Sequence, residues 1–270
     1  MRVFDLDAQC NASETLCCGP SDLDPSQPTV WNLIKGENTL DEVTLQACKW
    51  EGQKPGDWDS EVDGEWVDEY TEIPNLYIVP GSPEMKNCEA MMANEPHTFQ
   101  WFWELISRYH GGQLVAEPNE VWLLDLPANF GRITVSILFG MDEDDEVLPP
   151  ALVTGKEEGA LDKMINIELP EVVNKYKSRL APARPHIHHI LLCATPTSTH
   201  KGLEYTRTVG AIEEKYGDKL LPYVRFSTVL TGQYTQRCPV AITDPNSRPS
   251  KDYRDVADSL GFPDLVPDGG

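Results

Sequence analysis

The sequence predicts an α/β fold built on a doubly wound, mainly parallel sheet. Three observations carry that expectation. Short apolar runs alternate with amphipathic stretches along the chain, the pattern of strand–helix units that sandwich a parallel sheet between helices. Two of the runs, Arg2-Val-Phe-Asp-Leu-Asp7 and Glu120-Val-Trp-Leu-Leu-Asp125, end in acids, where central parallel strands meet their ligand-facing loops. Finally, 270 residues at 40% apolar and 24% charged composition are enough to bury a proper core, and no run approaches the length of a membrane helix.

Residues 2–7 read as a strand with almost nothing ahead of it. Residues 29–35 and 40–48 read as short helices, broken at Gly36-Glu-Asn38, with Thr39 as an N-cap. The stretch 51–72 carries nine acids and one lysine around Trp58, Trp66 and Tyr70, and reads as a solvated acidic insertion, either a loop or a small hairpin. Residues 76–79 read as a buried strand before Pro80-Gly81, and Pro83 opens a helix to about Asn94. Residues 97–109, closed by Gly111-Gly112, are apolar nearly all round and read as a helix buried on two sides. After the 120–125 strand come a helix over 133–140, a strand start at 146–148, and a long helix over 157–180 kinked at Pro170. A strand over 187–194, a helix over 202–216, a strand over 220–226 and a last helix over 250–260 complete the pattern. The whole reads as one domain over 1–262, with the acidic insertion at about 51–72 and a flexible tail over 263–270.

Charge and cysteine usage narrow the classes. Twenty-two basic against forty-four acidic residues leave a formal charge of −22, awkward for a protein that neutralises nucleic-acid phosphates. The best local basic patch is Arg225, Arg237, Arg248, Lys251 and Arg254. Seven cysteines with no C-x-x-C pair and no signal peptide fit a reducing compartment, the cytoplasm. Cys17-Cys18 reads as two small residues on a helix face rather than a vicinal disulfide. His186 and His188 alternate along a strand but lack a third ligand nearby. Ser13, Ser82 and Ser198 stand outside any G-x-S-x-G setting, so a serine hydrolase has no support.

Acids at strand ends suit magnesium, which binds one or two carboxylates and keeps its remaining waters, or they position a nucleophilic water. The alternative is that each caps the loop or helix that follows. The surrounding residues shift the balance. Arg2-Val-Phe-Asp-Leu-Asp-Ala-Gln-Cys-Asn-Ala-Ser13 resembles the segment written R-V-L-x-x-D-x-D-P-Q-G-N-A-S in ParA-type partition ATPases, eight residues matching in order. Val121-Trp-Leu-Leu-Asp-Leu-Pro127, followed by Phe130-Gly131-Arg-Ile-Thr134, resembles that family's Walker B stretch. Leu76-Tyr-Ile-Val-Pro-Gly81, Ile190-Leu-Leu-Cys-Ala-Thr195 and Leu221-Pro222-Tyr-Val-Arg225 resemble later strands in the same order. The resemblance spans residue 2 to about residue 260.

Three departures accompany it. The family's K-G-G-x-G-K-T phosphate loop occurs nowhere in these 270 residues, Ala8 and Cys10 replace a Pro and a Gly, and Ala128 replaces the second Pro of D-x-P-P. The I-P-R-N-V-R match also needs a one-residue gap. The resemblance thus implies a P-loop NTPase-type fold, N-terminally truncated, with its first strand and P-loop absent. A late start of the sequence is the expected explanation, and true loss of the loop is the other. Loss of a central strand is also expected to leave an apolar gap beside the Asp125 strand and a poorly stable chain, at about 1–3 kcal/mol for each unpaired buried backbone group.

Carried over residue by residue, the resemblance implies ATP and Mg2+ as cofactors. Asp7 would orient the attacking water, Asp125 would hold the metal through water, and Asp5 would support those waters. Gln9 and Asn11 would order the following loop, and Pro222 would pack near the adenine. The implied function is ATP hydrolysis in a nucleotide-sandwich homodimer that binds DNA non-specifically and answers to a ParB-like centromere-binding protein. Such a protein is cytoplasmic, nucleoid-associated where DNA binding holds, and has no membrane partner, since the 262–268 segment is acidic and Pro-broken. A positioning ATPase of the wider MinD/ParA group is a second possibility. The alternative outside catalysis is a P-loop-less, non-hydrolysing relative acting as an interaction or regulatory protein.

Overall fold

The computed structural model describes residues 1–55, 66–94, 100–102, 104–105, 120–141, 145–153, 157–176, 187–195, 203–231 and 236–262. They group into two compact units, Met1–Ile137 with Gly232–Pro239, and Leu138–Thr231 with Val240–Gly270.

The first unit is organised around β1 (Arg2–Asp5), whose neighbours are β3 (Trp66–Val79) and β4 (Trp122–Asp125); β2 (Leu45–Pro55) lies outside β3, giving the order β2-β3-β1-β4. Both contacts of β1 are parallel, and only β2–β3 is antiparallel. The mainly parallel sheet expected from the alternating pattern is therefore present. Because side chains alternate along each strand, Phe4 packs with Val79 and the partly buried Trp122 and Leu124 on one face, while Val3 and Ile78 meet Leu16, Cys18 and Ala47 on the other. Phe4 is fully buried, with its ring centroid 5.0 Å from that of Trp122, a burial worth about 2–3 kcal/mol.

Three short helices stand between β1 and β2: α1 (Asn11–Thr15), α2 (Val30–Lys35) and α3 (Leu40–Val43). Gly36 ends α2 in the left-handed region at φ 72°, and Thr39 begins α3 in a capping box with Glu42. The helix expected over 40–48 stops at Val43. Thr44 is extended, and residues from Leu45 onward pair with β3 instead; a four-residue helix yields to sheet pairing that the local pattern does not encode. The described ends of the acidic 51–72 stretch, 51–55 and 66–72, belong to the antiparallel strands β2 and β3, where the Trp50 indole N–H donates to Asp68 at 2.9 Å. Trp58 lies outside the described residues. Pro83 opens a 3₁₀ turn that leads into α4 (Cys88–Asn94). Most of the 97–109 helix, with Gly111-Gly112, lies outside the described residues. After β4 comes α5 (Arg132–Gly140).

In the second unit β5 (Pro150–Leu152) pairs in parallel with β6 (Leu191–Cys193). The strand start expected at 146–148 therefore falls a few residues late, and the 220–226 strand is reduced to isolated parallel bridges, Ile190 with Leu220 and Thr195 with Arg225. The long 157–180 helix is α6 (Glu157–Lys163), a π-helical turn over Met164–Glu168, and α7 (Leu169–Tyr176). Pro170 explains the wide turn, since it cannot donate to the Asn166 carbonyl four residues earlier. Residues 177–180 and His186 lie outside the described residues, as does the 263–270 tail. Two longer helices follow, α8 (Leu203–Tyr216) and, after the short α9 (Thr228–Thr231) and α10 (Val240–Thr243), α11 (Arg248–Ser259). Ser247 caps α11, and Pro249 sits in its first turn. The core here joins Leu191, Leu221, Val224 and Val256. Among the described residues no helix is long and apolar enough to cross a membrane.

Candidate functional site

The two strand-end acids meet. In the β1–β4 register Asp5 is the direct partner of Asp125, and the Leu6 N–H donates to the Asp125 carbonyl at 2.9 Å. In-register residues of a parallel pair project to the same face, so the two carboxyl groups leave the sheet together at its C-terminal edge, where ligands of parallel sheets bind. Asp7 follows two residues beyond β1.

Asp5 is fully buried. One oxygen, Oδ2, accepts the Ser13 N–H at 2.8 Å and the Ser13 hydroxyl at 2.6 Å. The Ser13 Oγ in turn accepts the Gly81 N–H at 2.8 Å. This chain joins the end of β1, the helix α1 and the turn after β3. Glycine at 81 leaves room for this arrangement, because a Cβ there would sit 2.9 Å from the Asp5 Cγ and push the carboxyl aside. The other oxygen of Asp5, Oδ1, is buried with no hydrogen-bond partner. Burial raises the Asp5 carboxyl above its ordinary value against the lowering by Ser13 and the Asp7 amide, and the Asp7 charge adds to the rise.

Asp125 is pushed up to about 6, first by desolvation and then by the Asp5 and Asp7 charges. Its residue surface is nonetheless exposed; the carboxyl opens to solvent on one side and crowds protein on the other, so solvent screens the effect. Asp7 is half-buried, and its Oδ1 accepts the Gln9 N–H at 3.0 Å. The capping role weighed from sequence therefore holds for Asp7 and Asp5 alike, alongside their convergence with Asp125. Gln9 and Asn11 are exposed on the loop that leads into α1 and on its first residue. Between them Cys10 adopts φ 56°, the left-handed region that glycine enters without strain. This is the position where the family pattern carries Gly.

Magnesium needs only one or two carboxylates. Among the described residues no group of three His, Cys, Asp or Glu side chains could hold a metal ion, which sets aside an all-protein cage. The orphaned Asp5 oxygen and the raised Asp125 carboxyl fit a hydrated cation that these acids would hold mainly through water. Three contributors were not assigned a role from sequence. Ser13 and Gly81 fix Asp5, and Glu89 accepts the Arg132 N–H at the start of α5, beside the loop that leaves Asp125. The Walker B-like stretch was the available signal for that loop; Ser13 and Gly81 lie inside quoted motifs but find each other only in three dimensions.

Pro222 belongs to the second unit. There it lines a cavity of about 470 Å³ with Thr195, Tyr223, Arg225, Asp252 and Asp255. The Tyr223 hydroxyl donates to Glu213 at 2.6 Å, and the Arg225 Nε and amide N–H both donate to the buried Asp252. Two of the five residues of the expected basic patch are paired with acids. Arg225 is taken by Asp252, and Arg237 belongs to the first unit, where it pairs with Asp22. On α11, Arg248, Lys251 and Arg254 are balanced by Asp252, Asp255 and Asp258. His189 pairs with Glu146 at 2.5 Å.

No protein-family model matches the sequence, and no curated protein matches it. Solved structures do. An ATP complex of McdA from Cyanothece superposes with a TM-score of 0.69 at 15% identity, covering 98% of this chain and 86% of that one. A putative plasmid partition protein from Borrelia burgdorferi bound to AMPPNP gives 0.62 at 12% identity, over 95% and 83%. The septum site-determining protein MinD with Mg-ADP from Pyrococcus horikoshii gives 0.56 at 14%, over 96% and 82%. At these identities the likeness is one of fold, and the fold of this chain is that of the ParA/MinD-type ATPases.

Proposed function

We propose that this chain is a partition- or positioning-type ATPase of the ParA kind, using ATP and Mg2+, and that Asp5, Asp7 and Asp125 form the metal-and-water side of its site. The observation that carries the reading is the in-register placement of Asp5 and Asp125 at the C-terminal edge of two parallel strands, with Asp7 just beyond. The similar structures crystallised with ATP, AMPPNP and Mg-ADP support the same ligand class. Asp125 would hold magnesium through water, and the cation would neutralise phosphate charge when bound. The chain's own groups do the rest. Asp7 orients a water for in-line attack, and Asp5, fixed by Ser13, receives hydrogen bonds from the ordered waters on its free oxygen. A homodimer, non-specific DNA and a ParB-like protein are the partners of this reading. The balanced charge of α11 gives its DNA component little support.

The test is magnesium-dependent binding of a fluorescent ATP analogue together with phosphate release. Asp7→Ala is expected to retain nucleotide binding and lose turnover, and Asp125→Ala to lose the magnesium dependence of binding. Nucleotide binding that ignores both magnesium and Asp125→Ala would overturn the assignment. The second reading is a non-hydrolysing interaction protein, which would not need the successive backbone N–H groups and lysine that cradle phosphate. Partner binding by wild type without phosphate release would favour it.

A further inference from the structure

Four of the seven cysteines of the chain gather on one side of β2 and α1 in the first unit. Cys17 and Cys18 follow α1, Cys48 is on β2, and Cys238 belongs to the 232–239 segment. All are free thiols, Cys18 and Cys238 buried, Cys17 and Cys48 partly open. Neither Cys17 nor Cys18 lies on a helix face, contrary to the sequence expectation. The Cys48 N–H donates to the Leu16 carbonyl at 3.1 Å, which sets Cys48 beside the Cys17-Cys18 pair. The sulfurs of Cys18 and Cys48 converge on one acceptor, the Gln46 carbonyl oxygen, at 3.9 and 3.7 Å. Cys17 points elsewhere, toward the Arg237 carbonyl at 3.5 Å. Among the described residues these sulfurs make no group of three that could hold a metal ion.

We propose that Cys48 and Cys18 are an oxidant-sensitive dithiol that closes to an intrachain disulfide under a peroxide. Cys48, the more exposed of the two, is the attacking residue, and the core thiol Cys18 resolves. The Cys48 thiolate attacks one peroxide oxygen, the O–O bond breaks, and the departing hydroxide takes a proton to become water, leaving Cys48 as a sulfenic acid. Cys18 then gives up its proton and attacks the Cys48 sulfur. The S–S bond forms, the S–O bond breaks, and a second water leaves. Two thiols and one hydrogen peroxide thus give one disulfide and two waters, the sulfurs losing the two electrons that the peroxide gains.

The surroundings set the pace. Burial, and then the Glu72 charge, raise the Cys48 thiol. Burial pushes Cys18 up to about 12, with Cys48 and Cys17 adding and Arg237 opposing; Tyr70 on β3 faces Cys17 and Cys48 as well. Both thiols are protonated near neutrality, so the reaction is slow and speeds up with pH, about tenfold per unit below the thiol pKa. The link would lie one hydrogen bond from the carboxylate site, because the Cys18 N–H donates to the Ser13 carbonyl at 2.9 Å.

Peroxide treatment at about pH 7.5 and 8.5, alkylation and peptide mapping test this without nucleotide. The expected result is joint loss of free thiol at Cys18 and Cys48, a Cys18–Cys48 cross-linked peptide pair restored by dithiothreitol, and roughly tenfold faster closure at the higher pH. Cys18→Ser is expected to leave Cys48 as a sulfenic acid that a cyclic dione captures, and Cys193→Ser to leave the link intact. Cys18 and Cys48 staying reduced under peroxide that oxidises Cys193, or linkage to other cysteines instead, overturns the proposal.

Discussion

Replacing Ser13 by Ala removes one oxygen that serves two partners. The side chain is fully buried; its hydroxyl donates to Asp5 Oδ2 at 2.6 Å and accepts the Gly81 N–H at 2.8 Å. Losing the charge-assisted bond costs about 1.5–3 kcal/mol, and leaving the buried Gly81 N–H without a partner costs about 1–3 kcal/mol. The two costs overlap, because alanine keeps the Ser13 N–H bond to Asp5, so the net expectation is about 3 kcal/mol. Urea denaturation followed by tryptophan fluorescence reads it as a lower midpoint at unchanged slope. A double-mutant cycle with Asp5→Ala separates the pair from general packing, with an expected coupling above about 1 kcal/mol. A loss under about 0.5 kcal/mol, or additive single effects, would refute the reasoning.

Gly81→Ala is expected to cost about 1–3 kcal/mol in the same assay, because the new methyl must displace the Asp5 carboxyl it would otherwise approach to 2.9 Å. Asp125→Asn is expected to stabilise the protein at neutral pH. The folded carboxyl titrates near 6, above its unfolded value of about 3.9, so stability is full below the lower value and is lost as pH rises through the upper one. The gain over wild type should fade below about pH 4, and an equal gain at all pH values would contradict it. Asp252 works in the opposite sense. Burial opposes its ionisation, but the Arg225 side chain and amide together with Arg248 outweigh burial and hold the carboxyl below 3.8. Its contribution is present above that value and lost as pH falls through the folded one. Asp252→Asn should therefore cost about 2 kcal/mol near neutrality, and urea titration should show that cost shrinking as pH falls below the unfolded value of about 3.9.

The positions where sequence reasoning succeeded are those where the signal is local. Thr39 marks an N-cap that the structure completes with Glu42, Pro83 opens a helical turn, and two apolar runs ending in acids, 2–7 and 120–125, mark the strands that prove to be neighbours. Where it failed, the deciding partner was far along the chain. Leu45 to Cys48 carries a spacing compatible with a helix, but β3 claims those residues across some thirty positions. Arg237 looks like part of a basic cluster until Asp22, 215 residues away, takes its charge. Ser13 closes a quoted motif without any signal of its own, and its roles appear only once Asp5 and Gly81 flank it. At Cys10 the backbone demand for a positive φ is hidden, because the side chain present is not the glycine that would announce it.

Considered for stability alone, the carboxylate site is a poor use of the sheet. A fully buried position such as Asp5 would gain about 2 kcal/mol from an apolar side chain, yet it holds an acid with an unsatisfied oxygen, and the adjoining Asp125 is pushed toward neutrality. A divalent cation bound there would offset these costs: its ordered water would hydrogen-bond the orphaned oxygen, and its charge would oppose the burial, and then the Asp5 and Asp7 charges, that raise Asp125. Magnesium should therefore raise the urea midpoint of wild type, by about 1.4 kcal/mol at ten times its dissociation constant. It should leave Asp125→Asn unmoved, although that variant starts out the more stable at neutral pH. A sodium control of equal ionic strength separates binding from screening. Equal stabilisation of both proteins by magnesium would mean that the converging acids serve only the loops they cap.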